Sequence, residues 1–183
     1  MAAVVTFKEG PRALLVVVVV LVLQLTVVLD FHVGGAHPDL ILGLAIGAGL
    51  AGGTERGALV GFFSGLAIDL FLPTPFGLSA LVGTAVGAAS GQLVAAGIDR
   101  SGRLFVPGVA VLASAIGVIM FAVLGTVVGQ PDMLTVGLGA VVAVVAVVNG
   151  VLGYLLVRAC NWAFEREVSS SAWRGPLVPG DRP

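Results

Sequence analysis

The residues able to do chemistry in this chain are few. Gln24, Ser64, Asp69, Ser79, Gln92, Ser114 and Asn149 stand inside long apolar stretches, and Asp69 is the one acid among them. Gly57, Gly61 and Gly65 precede it at a spacing of four, and Pro73, Pro75 and Gly77 follow it and break the segment. A carboxylate in hydrocarbon costs at least about 2.5 kcal/mol, so its presence needs a reason. Three readings are open. Asp69 is solvated at the outer interface; or it accepts hydrogen bonds from backbone freed by the Pro73–Pro75 break, which must be satisfied at a membrane edge; or it engages a partner or substrate.

Other groupings point to weaker chemistry. Asp30, His32, His37 and Asp39 place four metal-capable side chains in ten residues. Their spacing matches no known ligand set, and a solvated loop between two helices accounts for them. Gly47-x-Gly49-x-x-Gly52 has the form of a dinucleotide fingerprint, with Asp69 following. That motif works only between a strand and a helix; inside an apolar segment, glycines serve close helix packing instead. No acid run suits a proton relay, and no arginine within an apolar segment suits an anion or a voltage sensor. There is no HExxH, no Cys–His pair and no Ser/Lys pair on adjacent turns. Cys160 is the single cysteine, which excludes an internal disulfide. The expectation is a protein that is not an enzyme and has no metal and no cofactor.

The elements that carry these residues follow from composition. The chain is 58% hydrophobic and 10% charged, against about 25% charged in soluble domains. It reads as an all-α integral membrane protein. Residues 1–11 form a cytoplasmic arm and 12–157 a membrane domain. Six spans are expected, at about 12–29, 38–52, 57–72, 77–97, 104–128 and 133–157. The first is long enough to cross; its alternative is a signal peptide cut near Gly34 and Ala36. The second is short, about 22 Å as a helix. GGTERG at 52–57 reads as a tight polar turn. Pro107 falls near the start of the fifth segment, where a helix tolerates it. Residues 158–183 form a cytoplasmic tail. Its first part continues the last helix along the membrane surface, with Trp162 as an anchor, and it is largely disordered after 169.

Charge supplies the sidedness. The basic residues are Lys8, Arg12, Arg56, Arg100, Arg103, Arg158, Arg166, Arg174 and Arg182. All fall in the N-terminal arm, the second and fourth turns, and the tail. The other turns hold Asp30, Asp39, Asp69 and Asp132. This positive-inside pattern puts both termini in the cytoplasm. A re-entrant pair in place of the second and third spans would preserve the pattern but would bury Glu55 and Arg56 in the membrane, so full spans are favoured. Net charge of −1 and the lack of a basic run give no sign of nucleic acid. The turns Glu55–Arg56 and Asp99–Arg100 read as topology signals, with contact to cytoplasmic partners as their alternative.

Helices in lipid associate through close backbone packing and a few polar contacts. Gly57, Gly61 and Gly65 on the third segment, and Gly83, Gly87 and Gly91 on the fourth, form two runs spaced by four. They predict a tight hairpin around Pro73–Phe76.

Gly61-Phe62-Phe63-Ser64-Gly65-Leu66-Ala67-Ile68-Asp69, followed by Pro75-x-Gly77-x-x-Ala80-Leu81, resembles the bacterial rod-shape-determining protein MreD. The Pro38-Asp39-Leu40 entry to the second segment, the six short spans and the small size fit it too. The resemblance covers roughly residues 12–157. It implies a scaffold of the cell-elongation machinery that acts with MreC, the actin-like MreB, the polymerase RodA and a class B penicillin-binding protein in side-wall peptidoglycan synthesis. It also implies a compact six-helix bundle similar to the substrate-binding subunits of energy-coupling-factor vitamin transporters, which are the alternative function. A carrier needs convergent polar groups around its ligand, and this chain offers few. Asp69, Pro75 and Gly77 are the expected docking cluster for MreC or a synthase.

Overall fold

The computed structural model describes residues 10–28, 37–73, 75–97, 102–130 and 137–164. These residues are all helical apart from turns. The helices are α1 (Gly10–Leu23, prolonged by a π-helical turn over Gln24–Val28), α2 (Leu40–Gly52), α3 (Thr54–Asp69), α4 (Leu78–Ala95), α5 (Phe105–Val127) and α6 (Leu138–Phe164). Asp30, His32, Asp99, Arg100, Asp132 and the tail beyond 164 lie outside the described residues.

The bundle is built around α2. Every residue from Leu40 to Leu50 is buried, because α3, α4, α5 and α6 all pack on it. A helix that is apolar all round suits such a centre. Glycine makes the crowding workable. Gly43 lies against Asn149 and Leu156, Gly47 against the backbone of Leu156, and Gly49 against the backbone of Gly87 and Gly91. The fingerprint-like glycines thus serve helix contact.

Length sets the rest of the shape. At 1.5 Å per residue, the 13 residues of α2 reach about 20 Å, while the 27 of α6 reach about 40 Å. Helices α4, α5 and α6 are long and apolar enough to cross a membrane, whereas α1 and α2 are shorter apolar helices. Outward-facing positions stay apolar: Leu112, Ile116, Val151 and Leu155 are all exposed. So large an apolar exterior marks a surface that is covered, not one in water.

The polar turn before α3 differs from the sequence reading. The turn expected at 52–57 contracts to Gly53, whose φ of 87° lies in the left-handed region, and α3 starts at Thr54. Thr54, Glu55 and Arg56 are therefore helical. The last helix does continue into the tail, as expected: α6 runs unbroken through Arg158 and Trp162 to Phe164.

Candidate functional site

Asp69 is the last residue of α3 and is 4% exposed. Its carboxylate accepts hydrogen bonds from the backbone amides of Gly77 (2.9 Å), Ser79 (3.3 Å) and Ala80 (3.4 Å). These are the first amides of α4, which have no partner within their own helix. Gly77 occupies the N-cap of α4 with φ at 92°, a left-handed conformation that favours glycine. Having no side chain, it cannot cap the helix itself. Asp69 performs that task from across the turn, and its negative charge also suits the positive end of the α4 dipole. Pro75 starts the turn into α4, its carbonyl accepting from Leu78 N at 3.2 Å. Of the three readings open for Asp69, the geometry has the second: the acid satisfies backbone freed by the proline break.

Below this cap, α3 and α4 run antiparallel as the most extensive helix pair. Gly57 faces the Gly87 carbonyl, Gly61 the Gly83 carbonyl, and Gly65 the backbone of Ser79 and Ala80. Gly91 abuts the backbone of Gly53 and Thr54. The two runs of glycine therefore meet backbone to backbone along the hairpin. Above the cap, the connecting turn is apolar and outward-facing: Leu70 is 69% exposed, Phe71 60% and Phe76 65%. A rigid base thus carries a greasy tip.

A second polar cluster holds the N-terminus of α2. Asp39 Oδ1 accepts from Leu42 N at 2.9 Å. Gln24, in the π-helical turn, accepts from Leu40 N at 2.8 Å and donates to the Pro38 carbonyl at 3.0 Å. Asn149, fully buried on α6, donates to the Asp39 carbonyl and to Ser114 Oγ, both at 2.9 Å. The sequence shows Gln24, Ser114 and Asn149 as isolated polar residues within spans, and that isolation was the only signal of their role. Asp39 in particular is a helix cap inside the bundle rather than part of a solvated loop.

Because α2 begins at the depth of Asn149 and Ser114, it leaves space beyond its N-terminus. A cavity of about 290 Å³ lies there. Its polar lining is Gln24, His37, Asp39 and Ser79, and the remaining wall is apolar, with Leu42, Phe121 and Val145 among its members. Gln24 and Asp39 already hold α2 in place. Among the described residues, no three His, Cys, Asp or Glu side chains cluster as metal ligands would. No family model, curated protein or solved structure matches the chain.

Proposed function

We propose that the chain is a non-enzymatic membrane scaffold of the bacterial cell-elongation machinery, similar to MreD, and that it organises peptidoglycan synthesis together with MreC. In this reading all six helices lie in the cytoplasmic membrane as a bundle like that of the vitamin-transporter subunits, with both termini in the cytoplasm. MreB, RodA and a class B penicillin-binding protein are the further partners that the resemblance implies. The observation that carries it is the Asp69 cap. Asp69, Pro75 and Gly77, three of the residues that carry the resemblance, converge on one short turn, which presents Leu70, Phe71 and Phe76 outward. A rigid, apolar knob without reactive groups suits docking better than catalysis.

The cavity beyond α2 favours a second reading, the substrate-binding subunit of an energy-coupling-factor transporter. Against it, Gln24 and Asp39 in the lining are engaged with the protein's own backbone. A mild-detergent pull-down from the native membrane, read by mass spectrometry, separates the two. Recovery of MreC and the wall synthases supports the scaffold; recovery of an ATPase pair with a coupling subunit supports the carrier. Asp69→Ala strips an acceptor from three amides and perturbs the hairpin itself, so the sharper variants are Phe71→Ser and Phe76→Ser. They should accumulate normally yet recover several-fold less MreC and fail to restore rod shape. Full recovery of MreC by both variants overturns the docking role of the tip.

A further inference from the structure

The cavity beyond the N-terminus of α2 draws on the whole bundle. Gln24 reaches it from the turn that prolongs α1, Ile41 from α2, Ile68 from α3, Val82 from α4, Phe121 from α5 and Val145 from α6. Its volume of about 290 Å³ is roughly twice that of a cavity of about 150 Å³ that holds benzene in an apolar protein interior. A diacyl lipid is too large for it, whereas a single ring with a short arm fits. Among the described residues, Asp39 is the one acid in the lining. The Leu42 and Ile41 amides bond its carboxylate, which has about four lone-pair sites, so it can accept from a ligand as well. Ser79 adds a hydroxyl to the same lining.

We infer that this cavity binds a small primary amine with an apolar body, its ammonium on Asp39 and its body between Leu42, Phe121 and Val145. Charge selects the head group. No lysine or arginine is among the described lining residues. None can reach it from the adjoining turns, because the chain between α1 and α2, between α3 and α4, and between α5 and α6 contains neither residue. Those stretches carry Asp30 and Asp132 instead. The positive end of α2 offsets only about half a charge, so the Asp39 carboxylate leaves this end of the bundle net negative. An anion would meet that charge head-on, and a neutral head would leave it without a counter-ion in an apolar wall. The inference stands apart from the choice between scaffold and carrier, because the pull-down reads partners and the experiment below reads a ligand.

The test uses the full-length chain in phosphatidylcholine nanodiscs at about pH 8, where an alkylamine is still charged, with tritiated phenylethylamine as the probe. Saturable, displaceable binding separates a site from partitioning into lipid. The unlabelled amine should compete about ten-fold better than phenylethanol, which has the same body, since hydrogen bonds to charged groups are the stronger ones. Phenylpropionate, the anion of similar body, should not compete. Asp39→Asn keeps a side chain able to cap α2 and should lower the amine's affinity about ten-fold, to that of the alcohol. Val118→Phe fills the cavity from its α5 wall with Asp39 intact and should abolish displaceable binding; thermal midpoints show that both variants are folded. Lack of saturable amine binding to the unaltered protein, or an alcohol that competes as well as the amine, overturns the inference. So does unchanged amine affinity in folded Asp39→Asn or Val118→Phe. Displacement of the amine by phosphatidylethanolamine added to the nanodisc overturns it too, because the ligand would then be a lipid headgroup.

Discussion

At the scale of single residues, the bundle relies on a few polar side chains that bind backbone. Asn149 shows the logic. It is fully buried, and its amide nitrogen bridges the Asp39 carbonyl on one side and Ser114 Oγ on the other. Its Oδ1 sits against Gly43 without a hydrogen-bond partner among the described residues. Asn149→Leu keeps the approximate shape but removes the donor and sets a methyl beside a carbonyl. We expect a loss of about 1–2 kcal/mol, since interhelical hydrogen bonds in membranes are individually modest but an abandoned buried acceptor adds its own penalty. Ser114→Ala should cost less, because Asn149 keeps its bond to Asp39. Thermal midpoints in detergent would check the order; a Ser114→Ala loss as large as that of Asn149→Leu would refute it.

At the scale of elements, the α3–α4 hairpin is a backbone contact, and glycine is the only side chain that permits it. An added Cβ on Gly61 would collide with the Gly83 carbonyl, and one on Gly87 with the Gly57 carbonyl. Neither obstacle is a side chain that can rotate away. Gly61→Leu and Gly87→Leu should therefore cost more than about 3 kcal/mol, the upper range of ordinary overpacking. Gly139→Leu, where nothing lies within 4 Å, should be tolerated. Accumulation of a fluorescent fusion in cells gives the readout. This pairing was legible in the sequence, because a spacing of four puts glycines on one helix face and two such runs flank one turn. The central place of α2 was not. Leu44 is fully buried on α2 while Ile116 is 61% exposed on α5. Hydropathy cannot separate them, since lipid is as apolar as leucine. The Asp69 cap was legible as one of three readings, because the proline break showed freed backbone but not which amides would turn inward. The polar cradle of α2 was missed altogether: Gln24, Asn149 and Asp39 come from three distant segments, and no local spacing announces them.

At the scale of the whole molecule, the open question is how a bundle with helices of such unequal length sits in a bilayer. The hydrocarbon core is about 30 Å thick, and α2 covers about 20 Å at 1.5 Å per residue. Two arrangements follow. In one, α2 and α3 each complete a crossing, the polar residues of their turn reach the cytoplasm, and the cavity beyond α2 is the part of the outer leaflet that α2 fails to fill. In the other, α2 and α3 form a re-entrant pair, and Glu55 lies inside the membrane. The position of Arg56 bears on the choice between them. Its guanidinium stacks on Phe164, at the C-terminal end of an α6 that reaches about 40 Å at 1.5 Å per residue. If a helix of that length ends in the interface on its C-terminal side, Arg56 lies there with it, as the full-span arrangement requires. Single-cysteine labelling tests this without further engineering, because the native Cys160 is buried. Glu55→Cys should react with an impermeant maleimide only after the cytoplasmic face is opened, and Phe76→Cys should react in intact cells. A Glu55→Cys thiol that is silent from both sides, in a folded protein, would mean that the pair is re-entrant. The six-span bundle would then be withdrawn.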